Sequence, residues 1–450
     1  MAAPIPSYPP HFVDIKREIA ASYPDFQGRT IAAWKRLLQE LAKSTEQIGR
    51  EGTNIVPQIN FKDLASANQD FVDLVKRRGC VVIHNVVDRA EATAWQRDLR
   101  EYVKINPVPG LILFNTVYLL SPYLAFPGFP EGDKQFFQLY WTGPQVKARA
   151  HPNVLNATTW LNNLYHVKST EDAAGVDLST PLAYADRFRI RHPGGIWDNH
   201  PPHVDGGSIE RWQDKNFRKC YGDILSGEWE NHDPYWLECR MNARTSLYGR
   251  VGASTIFRTF QGWLALSETA PTEGTLKVFP DVILSNAYTI LRPFFRPKAG
   301  EVDGNPLDAE NWEFDISTPE FPGIYARDSG FVGPRPNPIS HPHMKLEKTM
   351  VSVPKVYPGD MVFWHCDVVH SVEQEHTGQE DSIVMYIPAV PCTPRNTAYV
   401  ERQQESFLQG VPPPDYPREE GETNYRGVAR VEDIVGAIGR RAMGFPVAVA

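Results

Sequence analysis

Residues Tyr357–Glu373 read "YPGDMVFWHCDVVHSVE". A Gly359-Asp360 turn leads into an unbroken apolar run from Met361 to Trp364, and His370 follows ten residues after Asp360. A short apolar run behind a turn suits a buried strand; a helix would need more length and a 3.6-residue repeat. The same texture surrounds it. "ADRFRIRHPGG" (185–195) alternates charged and apolar residues with period two, and "TIFRTFQGWLALSET" (255–269), "GTLKVFPDVIL" (274–284) and "DSIVMYIPAV" (381–390) are rich in β-branched and aromatic residues. Gly/Pro turns separate these stretches, and no regular helical repeat lies between them. That argues against a parallel βαβ sheet and for an antiparallel sandwich or barrel.

Further out the pattern becomes helical. In "GRTIAAWKRLLQELAKSTEQIG" (28–49), Ile31, Trp34, Leu37, Leu38 and Leu41 recur at three- and four-residue steps. "FKDLASANQDFVDLVKRRG" (61–79) predicts a helix ending at Gly79, and "CVVIHNVV" (80–87) a buried strand. "DRAEATAWQRDLREYVKIN" (88–106) predicts a helix capped by Asp88, with Trp95, Leu99 and Tyr102 on its apolar face. After residue 395 helix returns in "NTAYVERQQESFLQG", followed by prolines at 412–414 and a last short helix around Val431–Met443. The expected organisation is one domain over 1–450: a mainly helical part at 1–110, a β core with insertions at 180–395, and a helical tail at 396–450.

Composition narrows the function. The 450 residues carry a net charge of −8, which argues against nucleic acid as main partner, and 42% are hydrophobic, enough for a sizeable core. No run of 18 apolar residues spans a membrane, and the first residues lack the order of a signal peptide. Five cysteines, odd in number and never in a CxxC pair, fit free thiols in the cytoplasm.

The histidines carry the chemistry. "WDNHPPHVDGGSIERW" (197–212) holds His203-x-Asp205 just ahead of a Gly206-Gly207 turn. It follows the period-two strand 186–192, so both side chains of one strand edge would point the same way. The chain has a second such pair, His365-x-Asp367, and an isolated pair is weak evidence of a metal site. With His370 as distant partner, however, His203 and Asp205 would place two imidazoles and one carboxylate on one side of an ion. That facial triad is used by non-haem Fe(II) oxygenases, which need the opposite positions open. A structural zinc site would be closed, usually by thiolates.

These segments together resemble the Fe(II)/2-oxoglutarate-dependent oxygenases of the cupin-like superfamily, in the broad phytanoyl-CoA hydroxylase style, and within it an uncharacterised bacterial and fungal subgroup. The resemblance spans residues 65–395 and rests on "RRGCVVIHNVVDRAEATAW", "HVD" at 203–205, "GWLALSETAPTEGTLKVFPD" and "GDMVFWHCDVVHSV". It implies an α+β fold: a double-stranded β-helix (jelly-roll) core with N-terminal and C-terminal helices. It also implies Fe(II) held by His203, Asp205 and His370, with 2-oxoglutarate as co-substrate, released as succinate and CO₂. A small molecule and O₂ would be the partners. The outcome would be hydroxylation, desaturation or cyclisation at an unactivated C–H bond.

One position departs from the family. Its members usually place an Arg about ten residues after the distal histidine, often as Arg-x-Ser, to hold the far carboxylate of 2-oxoglutarate. Here the residues are Glu380-Asp381-Ser382. Ser382 and Trp263 are expected in the co-substrate pocket, with Arg258 as first candidate for the missing cation and Lys277 and Arg395 behind it. Strict alternation from Trp263 puts Arg258 on the opposite face unless a bulge intervenes. Arg189 and Arg191, two apart on one strand face, suit a substrate carboxylate such as that of an amino acid.

Other residues have plainer readings. His192 and His200 are alternative ligands without the carboxylate spacing. His365 is expected to hydrogen-bond a ligand or substrate, and Cys366 to be a buried thiol. The N-terminal helices and the 206–250 insertion are the natural lid. Two rival functions stay open: a β-helix protein that binds a metal or small molecule without catalysis, and a cupin-type hydrolase or isomerase. Substrate identity and oligomeric state are not written in the sequence.

Overall fold

The computed structural model describes residues 8–106, 135–169, 173–198, 200–250, 253–298, 305–327, 329–417 and 420–446. The ends of the 1–110 segment therefore lie outside the described residues. The chain is a mixed α/β structure. Ten strands build its two principal sheets: β1 (Gln58–Asn60), β2 (Cys80–His84), β3 (Phe136–Phe137), β4 (Phe188–Arg191), β5 (Phe260–Ala265), β6 (Leu276–Val278), β7 (Val351–Ser352), β8 (Met361–His365), β9 (His370–Val372) and β10 (Ser382–Tyr386). The larger sheet runs β1-β2-β8-β5-β10-β4-β3 and is antiparallel except for the parallel β1–β2 pair; the smaller runs β7-β6-β9.

Because successive side chains on a strand point to opposite faces, the larger sheet splits its residues between two cores. Val82, Trp263, Val362, Trp364 and Val384 pack with Leu276, Val278 and Val351 of the smaller sheet and with Trp34, Leu37 and Leu41 of the helix Phe26–Glu51. Val81, Phe188, Phe260, Leu264, Phe363 and Met385 turn the other way, onto Trp95 and Leu99 of Arg89–Ile105 and Ala157 and Leu161 of Pro152–Asn162. The apolar run 361–364 is buried on both faces, which is why it reads as continuous rather than alternating.

Local signals set the ends of several elements. Asp88 accepts from the N–H groups of Ala90 and Glu91, and Gly79 closes the helix Gln69–Arg78 at φ 66°. Two expectations are corrected. The predicted helix over 61–79 is broken: Phe61–Ser66 is a 3₁₀ turn, and Asn68 starts a new helix by accepting from Phe71 N–H at 2.9 Å. In "GTLKVFPDVIL" the strand stops at Val278, because Asp281 caps a helix, Val282–Leu291, through Leu284 N–H at 3.1 Å.

The 206–250 insertion is not a loose cover. Four short helices (Glu210–Gln213, Lys215–Lys219, Gly222–Leu225, Glu238–Met241) and the segments between them bury Trp212, Phe217, Tyr221 and Trp229 in the core. The N-terminal helix Phe26–Glu51 likewise packs into that core. No helix among the described residues is long and apolar enough to cross a membrane.

Candidate metal centre

The strand β4 ends at Arg191, so the His-x-Asp pair does not continue it as the period-two reading expected. Instead His203 and His370 face each other across an isolated antiparallel bridge, each N–H donating to the other's carbonyl at 2.9 Å. Their rings lie 4.2 Å apart, centre to centre. Past the bridge, Val204 N–H donates to Pro334 O at 2.9 Å, and the chain turns so that Asp205 closes the set. Asp205 Oδ1 is 3.6 Å from His203 Nε2, and Oδ2 is 3.5 Å from His370 Nε2. One donor atom from each of the three lies within 4.8 Å of the others.

The geometry aims the free nitrogens inward. His203 Nδ1–H donates to Pro201 O at 2.7 Å and His370 Nδ1–H to Val368 O at 3.0 Å. With those tautomers both Nε2 atoms keep lone pairs directed at Asp205, the arrangement a divalent cation needs. Burial, and then the neighbouring His370, draw the His203 pKa down to about 4, so its ring is neutral at pH 7. The neutral imidazole of His203, the second imidazole of His370 and a carboxylate fit a first-row divalent metal.

Two supports were not foreseen from sequence. The Gln261 amide, turned to satisfy both neighbours, donates to Asp205 Oδ2 at 2.8 Å and accepts from Trp364 Nε1 at 3.1 Å. The second is a buried ionic cluster. Asp367 accepts from Arg211 Nη1 at 2.7 Å and Arg240 Nη2 at 2.6 Å, while Arg211 Nη2 donates to Asp205 O at 2.8 Å. With both its oxygens paired to guanidinium groups, Asp367 has no carboxylate to offer a metal. His365-x-Asp367 is thus structural. His365 stacks on Tyr165 and hydrogen-bonds its hydroxyl on the face away from His370, so it does not touch a candidate ligand.

The triad opens onto a cavity of about 500 Å³. Trp263 and Arg258 both line it. β5 begins only at Phe260, so strand alternation does not extend to Arg258 and no bulge is needed. Among the described residues nothing hydrogen-bonds its guanidinium, which lies 5.8 Å from the Tyr184 ring centre. Arg189 also lines the cavity; its Nη2 donates to Gly274 O at 3.1 Å and its buried Nε has no partner. Arg191 is corrected: fully buried, it donates to the carbonyls of Glu373, Gln374 and Gly195 and does not reach the cavity. Ser382 is also absent from the lining and accepts from Thr269 Oγ1 at 3.2 Å. Lys277 and Arg395 do not line it either.

In the segment where the family's Arg is missing, Asp381 accepts from Arg100 at 2.6 Å and pairs with His192 Nδ1 at 2.7 Å, outside the cavity lining. His192 is thereby removed as a ligand. His200 does line the cavity, but its Nδ1 accepts from Trp197 Nε1 at 2.6 Å, and its ring centre stands 6.1 Å from that of His203.

Comparison with known proteins follows the same geometry along nearly the whole chain. The Gig2-like family profile matches residues 6–445. An uncharacterised Escherichia coli K12 protein, YbiU, is 30% identical over 400 residues, 88% of this chain and 87% of its own. The crystal structure of GlcNAc Inducible Gene 2 (DUF1479) from Candida albicans superposes with a TM-score of 0.83 at 32% identity, covering 98% of this chain and 90% of that one. A Salmonella typhimurium LT2 structure, named for a suggested oxidoreductase role, gives 0.76 at 28% identity, with 96% of each chain covered. The chain belongs to the Gig2-like (DUF1479) family.

Proposed function

We propose that this protein is a non-haem Fe(II)/2-oxoglutarate-dependent oxygenase acting on a small molecule, and that its two facing sheets are a cupin-type double-stranded β-helix. The observation that carries this reading is the His203–Asp205–His370 set: two Nε2 atoms and one carboxylate on one side, with an open cavity on the other. When bound there, iron and 2-oxoglutarate supply O₂ activation and oxidation of an unactivated C–H bond. The chain's own residues do the rest. His203 and His370 present imidazole rings oriented by the Pro201 and Val368 carbonyls, and Gln261 and the Arg211–Asp367 pair fix Asp205. Arg258 takes the far carboxylate of 2-oxoglutarate, replacing the Arg that the sequence lacks near residue 380. Trp263 and Trp364 wall the site against water. The five free thiols fit a cytoplasmic setting.

Anaerobic addition of Fe(II) and then 2-oxoglutarate tests the reading. A weak visible charge-transfer band is expected, lost in His203→Ala and His370→Ala, with succinate release once a substrate is supplied. Iron binding without a band would move the weight to a non-catalytic metal-binding protein or a cupin-type hydrolase.

A further inference from the structure

The cavity is far more basic than an iron and co-substrate site requires. Six arginines line it (Arg187, Arg189, Arg250, Arg258, Arg327 and Arg335) against four carboxylates. The carboxylates are already engaged: Asp186 with Arg187, Asp198 with Gln374, Glu210 with the backbone N–H groups of Ser208 and Leu247, and Asp205 in the triad. A divalent ion and the 2-oxoglutarate dianion cancel each other. An excess of two positive charges therefore remains in a partly desolvated space, where an uncompensated charge is costly.

Three of the arginines sit together. The hairpin of Tyr325–Arg327 with Gly330–Val332 pairs Arg327 directly with Gly330. Gly330 is pressed onto the 248–250 segment: a Cβ added to it would fall 2.9 Å from Tyr248 Cβ and 3.6 Å from Arg250 Cβ. Arg335 follows the Pro334 carbonyl that accepts from Val204 N–H, so it stands beside the triad. Burial draws the Arg335 pKa below its ordinary value, and Arg327 and Arg250 push it the same way. No hydrogen bond or ion pair among the described residues ties down the guanidinium of Arg250, Arg327 or Arg335. The buried Ser208 Oγ, also in the lining, has no partner among the described residues.

We propose that Arg250, Arg327 and Arg335 form the seat for a dianionic oxyanion head on the primary substrate, a phosphate monoester or a pair of carboxylates, held next to the metal triad. This rests on the oxygenase reading for its catalytic meaning but not for the binding itself. Guanidinium groups offer paired N–H donors that match such oxygens, so the seat orients the substrate as well as attracting it. Arg258, on the Tyr184 side of Asp205, stays available for the co-substrate.

Titration calorimetry of the metal-free protein with inorganic phosphate and, separately, with malonate tests the seat without any metal. At least one should bind with a dissociation constant of roughly millimolar or tighter, and which one binds better separates the two head groups. Arg327→Gln and Arg335→Gln should each weaken it roughly tenfold or more, with unchanged thermal unfolding, and Arg335→Lys should recover part of the loss. No binding of either anion up to about 10 mM overturns the proposal. So does binding that both Gln variants keep, or binding lost only in Arg258→Gln. The iron–oxoglutarate band of the unmodified protein tests the oxygenase reading by itself. Anion binding without a band leaves the seat standing while the oxygenase reading fails; a band without anion binding does the reverse.

Discussion

Replacing Gln261 with Leu probes whether the candidate metal site is held from behind. Gln261 is nearly buried and joins two groups: Asp205 Oδ2, to which its amide donates at 2.8 Å, and Trp364 Nε1, from which it accepts at 3.1 Å. Leu keeps about the same volume but removes both bonds. A carboxylate without its orienting donor swings more freely, and loss of a hydrogen bond to a metal ligand typically costs about 10–100-fold in metal affinity. That corresponds to about 1.4–2.7 kcal/mol. The indole N–H of Trp364 loses its partner as well, which costs about 1–3 kcal/mol of folding stability. Anaerobic calorimetric titration with Mn(II), an ion suited to the same donors, measures the first effect, and urea unfolding of the metal-free protein measures the second. Asp205→Asn is the reference, expected to abolish measurable binding. If Gln261→Leu binds Mn(II) within about twofold of the unmodified protein while Asp205→Asn does not bind, the amide has no role in placing Asp205, and the reasoning fails.

Other perturbations separate binding from folding. Arg258→Gln should raise KM for 2-oxoglutarate about 10–100-fold, through loss of a charged hydrogen bond, and leave Mn(II) affinity alone. A change confined to metal affinity would reassign this arginine. Asp367→Asn strips the shared anion from Arg211 and Arg240, both almost fully buried, and should cost about 3–5 kcal/mol in urea unfolding. A loss under about 1 kcal/mol would mean that water or another acceptor takes its place. Lys16 is buried with its ammonium 5.4 Å from the Phe321 ring centre, and burial draws its pKa from 10.5 down to about 8. Between those values the unfolded chain keeps a proton that the folded chain has released. Stability should therefore rise as pH climbs from about 8 to 10.5. Lys16→Met should flatten that rise and add on the order of 2 kcal/mol at pH 7, read by urea unfolding at the two pH values.

What was legible in the sequence, and what was not, divides along the range of the interactions. Period-two alternation and apolar runs located β2, β4, β5, β8 and β10, because burial on one or both faces of a strand is written in adjacent residues. The helix Val282–Leu291 was missed because its caps and its burial on all sides erase the amphipathic repeat: nearly every residue in it is buried. Arg191 and Arg189 look equivalent two apart on β4, and they do share a face. What separates them is their surroundings: Arg189 lines the cavity, whereas Arg191 meets the carbonyls of Glu373 and Gln374. Nothing within β4 encodes that. The same holds for Gln261, whose amide matters only because Trp364 and Asp205 arrive from chain segments a hundred and fifty-odd residues apart. The arginine cluster is the extreme case. Arg250, Arg327 and Arg335 come from three separate segments with no shared motif, and each read alone is an ordinary surface residue. Only the packing of the 325–332 hairpin onto residues 248–250, and the bond from Val204 to Pro334, bring three positive charges to one wall beside two histidines. Like charges do not gather in a recess by chance packing, since each added guanidinium raises the cost of the others. Their convergence beside His203, Asp205 and His370 therefore argues for an anion, held at a fixed distance from those three side chains.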